Sequence, residues 1–580
     1  MASLSNTVAS STISSISTFS ELPLRHPGRR VCLPPTRYRR RVSCSGGDEN
    51  KRKSEAGRFD RRNVLIGLGG LYGVTNLGFA PTAAGAPINP PDLSKCGPAE
   101  LPAGADPTNC CPPNLRNIVD FKLPDQGSPV RVRRAAHLVD DDFLAKFKKG
   151  IDLMKALPAD DPRNFTQQAN VHCAYCDGAY NQIGFPDLEI QVHNSWLFFP
   201  WHRCYLYFFE RILGKLIGDE KFALPFWNWD APAGMQLPAI YADRASPLYD
   251  TLRDAKHQPP TMLDLDYDMV EPNMPNDEQI TSNLTIMYRQ MVSGAKTPLL
   301  FFGAPYRAGG EPDPGAGSLE STPHGPVHLW TGDRTQPNRE NMGNFYSAAR
   351  DPIFYGHHAN VDRMWSIWKS LGGKRRDYTD TDWLNSAFLL YDENAQLVRV
   401  KVRDCLDNSK LRYTYQDVDI PWLRNRPTPL RPKEAKAATK RASTTTGEKF
   451  PVDLNKVVKV VVDRQKKSRS KKEKEEEEEV LVIEGIELDR DVAVKFDVFI
   501  NLEDETTRKP SATEFAGSFV NVAHKHGKKS KKIKTCLRLG ITDLLEDLDA
   551  DGDDDVVVTL VPRLGKDIIS IGGVKIEYLS

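Results

Sequence analysis

Residues 324–330 read His-Gly-Pro-Val-His-Leu-Trp, and residues 351–365 read Asp-Pro-Ile-Phe-Tyr-Gly-His-His-Ala-Asn-Val-Asp-Arg-Met-Trp. His324 and His328 are four residues apart, so on a helix both imidazoles lie on one face and can bind one metal ion. His358 lies 30 residues after His328, at the head of a second predicted helix. Three histidines in this arrangement predict a metal site held between two helices.

His357 and His358 are adjacent, and two consecutive side chains of a regular helix cannot both face one site. One of them therefore binds the ion, and the other supports it. Asn360 and Asp362 follow in the same predicted helix and are candidates to hold the ligands in position through hydrogen bonds.

Three further histidines form a second, similar group: His172, His193 and His202. A set of ligands that consists of imidazoles alone suits copper, zinc, iron or nickel. His193 and His202 are nine residues apart and would face opposite sides of one helix, unless Pro200 or a loop before the helix separates them. A Cys/His zinc site with Cys173 and Cys176 is the alternative, but it lacks the second CxxC or HxxxH motif. This favours a disulfide for Cys173 and another role for Cys176.

The spacing of apolar residues predicts a mainly helical domain around the two histidine groups. Helices are expected over residues 141–157, 163–173, 196–213, 324–330 and 358–371. Metal ligands that point inward from facing helices are typical of a helical bundle. Residues 378–423 change to short strands and turns, for example 397–402.

Residues 424–450 have no periodicity and are rich in Pro, Lys, Ala and Thr, which indicates a linker. Beyond residue 451 the pattern becomes strand-like, with β-branched runs at 457–462, 480–483, 492–500 and 556–561. These runs predict a small β-sandwich as a C-terminal domain.

The N-terminal residues have the composition of targeting signals. Residues 1–45 are rich in Ser and Arg with Glu21 as the single acid, as in a plastid transit peptide. Arg61-Arg62, an apolar run over 64–80 and the small-residue site at 84–86 then resemble a twin-arginine export signal. The run contains five glycines and is shorter than the ~20 apolar residues of a membrane span. We therefore expect removal near Ala86, no stable membrane span in the mature form, and delivery to the chloroplast and then the thylakoid lumen.

The overall charge and the cysteines restrict the classes of partner and compartment. A balance of 78 basic against 77 acidic residues gives a net charge of +1, so no global field attracts nucleic acid. Five cysteines crowd the start of the folded region, which fits local disulfides made in an oxidising compartment: Cys96, Cys110, Cys111, Cys173 and Cys176. Cys204, Cys405 and Cys536 are isolated in the sequence.

Long motifs of this chain resemble those of plant polyphenol oxidases, the type 3 copper catechol oxidases and tyrosinases. They are 170–176 (NVHCAYC), 193–200 (HNSWLFFP), 324–330, the HHANVDRMW run, 382–384 (DWL) and 495–498 (KFDV). The resemblance covers nearly the whole chain. It implies targeting signals over 1–86, a dicopper domain over 87–423 with the DWL segment at about 378–423, a linker over 424–450, and a shielding domain over 451–580.

The resemblance also implies the roles of individual residues. His172, His193 and His202 would bind one copper, and His324, His328 and His358 the other, while His357 supports the site. Further implied features are a Cys176–His193 thioether, the disulfides Cys96–Cys111 and Cys110–Cys173, an aromatic gate at Phe345, a water-holding acid at Glu320, selectivity positions at Gly325 and Leu329, and a closing Y-x-Y motif at 413–415. A thioether would fix the loop-borne His193 and so answer the nine-residue spacing.

Some of these positions leave alternatives open. Glu320 could polarise a water that deprotonates a phenol, or it could merely anchor a helix. Gly325 stands where some relatives have an Asn that orients this water, which favours diphenolase over monophenolase activity. Trp201 and Cys204 flank His202 where the family more often has Phe and a large aromatic residue, and Cys204 could be a free thiol near the site.

The function implied by the resemblance is copper-dependent oxidation of o-diphenols to o-quinones, with O₂ reduced to water. The chain would be a latent proenzyme whose C-terminal domain covers the site until a protease cuts the linker; a domain that serves only stability is the alternative. Competing functions are a specialised phenol hydroxylase or pigment synthase of the same family and a haemocyanin-like O₂ carrier. Plastid targeting and the small size argue against the carrier, and quinone release would distinguish it.

Overall fold

The computed structural model describes residues 85–429, 449–503, 509–524 and 532–580. Apart from Gly85 and Ala86, the predicted targeting signals lie outside the described residues. The same holds for residues 430–448 of the predicted linker over 424–450. Among the residues described, no helix combines the length and the apolar character needed to cross a bilayer.

Residues 85–429 form a helical core with small sheets at its edges. The helices are α1 (Asp141–Ala156), α2 (Phe165–Cys176), α3 (Phe198–Ile217), α4 (Asn276–Tyr288), α5 (Pro298–Phe302), α6 (Gly325–Thr331), α7 (Phe345–Ala348), α8 (Ile353–Ser370) and α9 (Thr381–Asn385). The strands are β1 (Ile118–Asp120), β2 (Arg131–Arg133), β3 (Asn181–Gln182), β4 (Phe185–Glu189), β5 (Ala387–Tyr391), β6 (Leu397–Lys401) and β7 (Tyr413–Tyr415). The sheets are β1-β6-β5, β2-β7 and β3-β4. The predicted helical core is confirmed.

The start of α1 shows why these segments become helices. The Asp140 side chain accepts a hydrogen bond from the backbone N–H of Phe143 at 2.9 Å and so caps the helix. Two acids in the first turn complement the helix dipole. Phe147, Ile151 and Met154 then repeat on one face and are buried. The sequence prediction of 141–157 is confirmed to within one residue.

Helix α8 begins five residues earlier than the sequence prediction, which placed its first residue at His358. Asp351 explains the difference, because its carboxylate accepts a hydrogen bond from the backbone N–H of Ile353 at 2.9 Å. Pro352 occupies the cap position, where a missing N–H costs nothing. His357 and His358 therefore lie in the second turn of the helix, and the prediction of His358 at its head was wrong.

A buried ion network joins β2, α3 and α8. Arg131 and Arg133 donate to the two oxygens of Glu210 at 2.7 and 2.8 Å. Asp362 accepts from Arg133 at 3.0 Å and from Arg203 at 2.5 Å. Burial alone would raise the pKa of Asp362, but the two guanidinium groups outweigh it and hold that pKa below its usual value. The network fixes the two long helices relative to each other.

We expect Glu210→Gln to destabilise the helical core by about 3–5 kcal/mol, because it leaves the buried Arg131 without its carboxylate partner and leaves Arg133 with Asp362 alone. Urea unfolding followed by tryptophan fluorescence measures the change. Asp419→Asn is the matched control, since it also removes an Arg partner but at a site where both side chains are about two-thirds exposed (68 % and 65 %). Equal midpoints for the two variants would contradict a stabilising role for the network.

The C-terminal residues form two antiparallel sheets. Their strands are β8 (Val452–Asp453), β9 (Val458–Asp463), β10 (Glu478–Asp489), β11 (Val494–Ile500), β12 (Phe515–Asn521), β13 (Lys532–Gly540), β14 (Asp555–Leu564), β15 (Ser570–Ile571) and β16 (Gly573–Leu579). Two short helices accompany them, α10 (Lys471–Glu476) and α11 (Thr542–Asp547). One sheet has the order β13-β10-β15-β8 with β16 also paired to β10, and the other has the order β12-β11-β14-β9. Both sheets contribute to one hydrophobic core, for example Ile483 and Leu537 from the first and Val498 and Val558 from the second.

Candidate metal centre

Six histidines converge from six different parts of the helical core. They are His172 in α2, His193 in the loop before α3, His202 in α3, His324 at the end of a π-turn (Glu320–His324), His328 in α6 and His358 in α8. Their side chains are between 0 % and 2 % exposed. The loop position of His193 places its ring beside His202, although the two are nine residues apart.

The rings form two adjacent groups of three. Ring centroids in the first group are 5.5 Å (His172–His193), 5.8 Å (His172–His202) and 5.0 Å (His193–His202) apart. Those in the second group are 4.6 Å (His324–His328), 5.1 Å (His324–His358) and 5.4 Å (His328–His358) apart. The groups meet where His202 stacks on His358 at 4.2 Å. This arrangement suits two metal ions side by side.

Backbone carbonyl groups orient four of the six rings. Nδ1 of each ring lies at hydrogen-bonding distance from a carbonyl oxygen: His172 and Phe345 (3.0 Å), His202 and Phe198 (2.8 Å), His324 and Glu320 (3.1 Å), His328 and Met342 (2.7 Å). A carbonyl only accepts, so Nδ1 carries the proton and the lone pair of the neutral ring is on Nε2.

The Nε2 atoms are what a metal ion needs. Those of His172, His193, His202 and His324 are buried and have no hydrogen-bond partner in the described part of the chain. The Nε2 atoms of His328 and His358 lie 3.3 Å apart. Buried polar atoms without partners are costly in a folded protein, and a bound cation would satisfy these. The donor set, neutral imidazoles without a carboxylate, fits copper.

His357 has the opposite hydrogen-bonding pattern. The indole N–H of Trp229 donates to its Nδ1 at 3.1 Å, so the neutral ring carries its own proton on Nε2. Its ring stacks on His324 at 5.3 Å. A protonated Nε2 cannot bind a metal ion, which distinguishes His357 from its neighbour His358. The sequence reasoning missed Trp229.

Cys176 lies beside the first group. Its Sγ and one ring nitrogen each of His172 and His193 all lie within 4.8 Å of one another. His193 is further held by Gln191, whose side-chain oxygen is 3.2 Å from Nδ1 and accepts the backbone N–H of His193 at 2.9 Å. The structure thus brings Cys176 close to two histidines of the first group, His172 and His193.

Burial keeps the imidazoles neutral, as metal binding requires. It lowers the pKa of His202 to about 3 and that of His328 to about 4. It also lowers the pKa of His172, His193, His324 and His358 well below the usual value, assisted by neighbouring histidines.

This burial predicts that the metal-free protein loses stability in acid. Imidazoles of the unfolded chain take up protons below about pH 6.5, whereas His202 and His328 of the folded chain stay neutral to about pH 3 and 4. Stability is therefore greatest above pH 6.5, and each such ring removes up to about 1.4 kcal/mol per pH unit below it. Urea unfolding of chelator-treated protein between about pH 7 and pH 5 measures this slope. A His202→Gln variant should show a shallower slope, and an identical one would refute the assignment.

Glu320 lies between the two groups, with its carbonyl at His324 and its carboxylate at the residue after His193. One carboxylate oxygen accepts the backbone N–H of Asn194 at 2.5 Å, and the other is buried without a hydrogen-bond partner among the described residues. Burial raises the pKa of Glu320 well above its usual value, and backbone N–H groups only partly offset this. Glu320 can therefore hold a proton beside His324, whose ring donates to the Glu320 carbonyl.

Residues at the end of β12 and just after it pack against the neighbours of the histidine ligands. The Phe345 ring stacks on His193 at 4.0 Å, and His524 stacks on Phe345 at 4.9 Å. A side chain at Gly325 would place its Cβ 2.9 Å from Val520 and 3.5 Å from Val522. Leu329 is fully buried in α6. The sequence did not identify Val520, Val522 or His524.

The remaining predicted positions lie further from the rings. Asn360 hydrogen-bonds Asp230 at 2.9 Å and Arg363 at 3.1 Å, and Asp362 belongs to the ion network described above. Within the described residues, both bond to charged core groups rather than to a histidine ring. Disulfides link Cys96 with Cys111 and Cys110 with Cys173. The Cys110–Cys173 disulfide ties the segment before β1 to α2, at the residue next to His172.

Comparisons with known proteins give a consistent result along the chain. Residues 162–371 match the common central domain of tyrosinase, residues 377–428 the polyphenol oxidase middle domain, and residues 450–578 the chloroplastic polyphenol oxidase C-terminal domain. The chain is 60 % identical to a chloroplastic polyphenol oxidase of Malus domestica, over 94 % of both chains. It is 58 % identical to one of Vitis vinifera, over 100 % of this chain and 99 % of the other.

Solved structures show the same similarity. A latent apple tyrosinase is 65 % identical with a TM-score of 0.77, covering 80 % of this chain and 100 % of the other. A latent aurone synthase is 45 % identical with a TM-score of 0.80, covering 85 % of this chain and 99 % of the other.

Proposed function

The chain belongs to the plant polyphenol oxidase family, and from that premise we propose that it oxidises o-diphenols to o-quinones while O₂ is reduced to water. It is a copper enzyme with two copper ions as cofactors. The observation that carries the proposal is the convergence of six buried imidazoles. Among the described residues, the Nε2 atoms of four have no partner, and those of His328 and His358 face each other at 3.3 Å. When bound, the two copper ions supply the electron transfer between the diphenol and O₂.

We assign one copper to His172, His193 and His202 and the other to His324, His328 and His358. The ligand atoms support this division, because those of His324, His328 and His358 lie within 4.8 Å of one another, as do those of His172 and His193. His357 supports the second group through its stacking on His324. Cys176 is proposed to join His193 through a thioether, because its sulfur lies within 4.8 Å of a ring nitrogen. Forming that bond releases two protons and two electrons, which O₂ accepts.

The walls of the site are proposed to hold and orient a phenol. The face of Phe345 over His193 offers a flat aromatic surface for the ring of a substrate. Glu320 hydrogen-bonds a water or phenol proton at the second group. Gly325 and Leu329 set the space available beside the second copper, and the missing side chain at Gly325 favours diphenols over monophenols.

We propose that the chain comprises targeting signals over 1–86, a catalytic domain over 87–423, a linker over 424–450 and a C-terminal β-sandwich over 451–580. The enzyme is latent in its full-length form. The C-terminal domain covers the site with Val520, Val522 and His524, and ion pairs such as Lys495–Asp266 (2.8 Å) and Arg490–Glu189 (2.5 Å) hold it in place. A protease that cuts the linker would activate the enzyme.

The relatives in apple and grapevine are named chloroplastic. We propose that this chain is also directed to the chloroplast and onward to the thylakoid lumen. Its partners are small phenols, O₂ and the processing protease, and nucleic acid is not among them.

A specialised pigment synthase or hydroxylase is the second candidate, because the chain is also 58 % identical to an aureusidin synthase of Antirrhinum majus over 88 % of this chain and 92 % of the other. Catechol, tyramine and a chalcone should be assayed side by side on the processed, copper-loaded enzyme. We expect quinone to form several-fold faster from catechol than from tyramine or the chalcone. Preferred turnover of the chalcone would favour the second candidate, and O₂ binding without quinone release would overturn both.

A further inference from the structure

Two buried thiols meet outside the metal centre. Cys204 lies in α3, two residues after His202, and Cys405 follows the short 3₁₀ helix Val402–Asp404. Both are free cysteines and are 2 % and 0 % exposed. They are distant in the sequence, yet the two thiol groups are close enough to interact.

Other contacts of Cys405 place it against the same turn of α3. Its Sγ lies 3.7 Å from the carbonyl oxygen of Pro200, and its S–H also reaches the carbonyl of Val402 at 3.2 Å. Pro200 is four residues before Cys204, so in a regular helix its carbonyl is the acceptor for the Cys204 backbone N–H. The sulfur of Cys405 therefore rests on the helical turn that carries Cys204.

Arg203 holds the two backbones together. Its guanidinium donates to the carbonyl oxygens of Cys405 and Leu406, each at 3.2 Å, and is itself fixed by Asp362 at 2.5 Å. Arg203, the residue before Cys204, is thus joined to the backbone at Cys405, so the two cysteine-bearing segments are held beside each other. Disulfide bonds require such close and fixed backbones.

We propose that Cys204 and Cys405 form a redox pair that closes into a further disulfide and ties the helix of His202 to the segment with short strands at the end of the catalytic domain. The oxidant is another disulfide, of a small thiol such as glutathione or of an oxidoreductase. In the exchange, the two thiols lose two protons and two electrons and form one S–S bond, while the incoming disulfide is reduced to two thiols. A compartment that oxidises Cys96–Cys111 and Cys110–Cys173 provides these conditions.

The test uses full-length, copper-loaded protein incubated with oxidised glutathione at a temperature slightly below its Tm, so that the core opens transiently. A small reporter peptide with two thiols in the same tube shows that the oxidant acts. The protein is then denatured in excess iodoacetamide and digested without reduction, and the peptide masses are determined by mass spectrometry. We expect a disulfide-linked pair of the Cys204 and Cys405 peptides, with a mass two hydrogen atoms below the summed masses of the two free, reduced peptides. Alkylation of both cysteines while the reporter is fully oxidised would overturn the proposal.

Thermal unfolding gives a second readout that does not depend on activity. The oxidised protein should have a Tm roughly 5 °C higher than the untreated protein, because the bond restricts the unfolded chain. Cys204→Ser and Cys405→Ser should each abolish this difference in Tm between oxidised and untreated protein. If one of the two variants does not fold, the other alone tests the pairing. Cys536→Ser is the matched control and should retain it, since Cys536 contacts Pro314 and Arg538 instead. A Tm shift that persists in Cys405→Ser would also refute the pairing.

Discussion

A His358→Gln variant is expected to bind about one copper ion per chain instead of two and to lose at least roughly a thousandfold in catechol oxidation. His358 contributes its Nε2 atom 3.3 Å from that of His328, so its loss opens the second ligand group. Glutamine keeps a similar size and a polar end, which limits the damage to the fold. Metal analysis by atomic absorption and catechol turnover on the processed enzyme are the two measurements.

His357→Gln is the matched control, because it changes the adjacent residue of the same helix. Trp229 donates to Nδ1 of His357, which places the proton of this ring on Nε2 and removes it from the ligand set. We expect this variant to retain two copper ions and to lose activity only modestly, through the lost stacking on His324. The reverse result, with copper lost in His357→Gln and kept in His358→Gln, would show that the roles are exchanged.

Cutting the linker and removing the C-terminal domain is expected to raise catechol turnover at least roughly tenfold, because this removes His524 from the face of Phe345 and Val520 from beside Gly325. The domain is held by buried contacts as well as by the covalent linker. Lys495 pairs with both Asp266 (2.8 Å) and Asp497 (2.6 Å), and Ser518 bonds Asp266 at 3.1 Å. A cut alone therefore leaves the site covered until the two parts separate.

A specific protease site is introduced between residues 430 and 448. Catechol turnover is then measured before cleavage, after cleavage, and after the two parts have been separated by size-exclusion chromatography. The same protease acting on the unmodified chain is the control. Asp266→Asn should make separation easier, because it removes the charged partner of Lys495 from the interface. Unchanged turnover of the cleanly separated catalytic part would show that the C-terminal domain serves stability alone.

Local patterns in the sequence predicted much of the helical core. The apolar spacing of Phe147, Ile151 and Met154 located α1, and the four-residue spacing of His324 and His328 placed both on one helical turn. The early start of α8 was missed because its signal is a single hydrogen bond, from the backbone N–H of Ile353 to the Asp351 carboxylate, rather than an apolar repeat. Such signals are short, and one acid before a proline also occurs in loops.

Long-range contacts account for what the sequence could not predict. Trp229 is 128 residues from His357, and His524 lies far along the chain from the ring of Phe345 that it covers. No periodicity connects such pairs, since their meeting depends on how whole domains pack. The two-tryptophan run at 227–229 was the available signal for Trp229, but it gives no indication of a partner.

The carbonyl contacts of the histidine rings have a consequence for how this site can evolve. Phe345 and Met342 orient His172 and His328 through main-chain oxygens, which every amino acid possesses. Mutation at residues 342 and 345 can therefore change the side chains near the metal centre without removing a hydrogen bond that aims a ligand. A lineage can change its preferred phenol by drifting at these positions while it inherits the metal geometry intact.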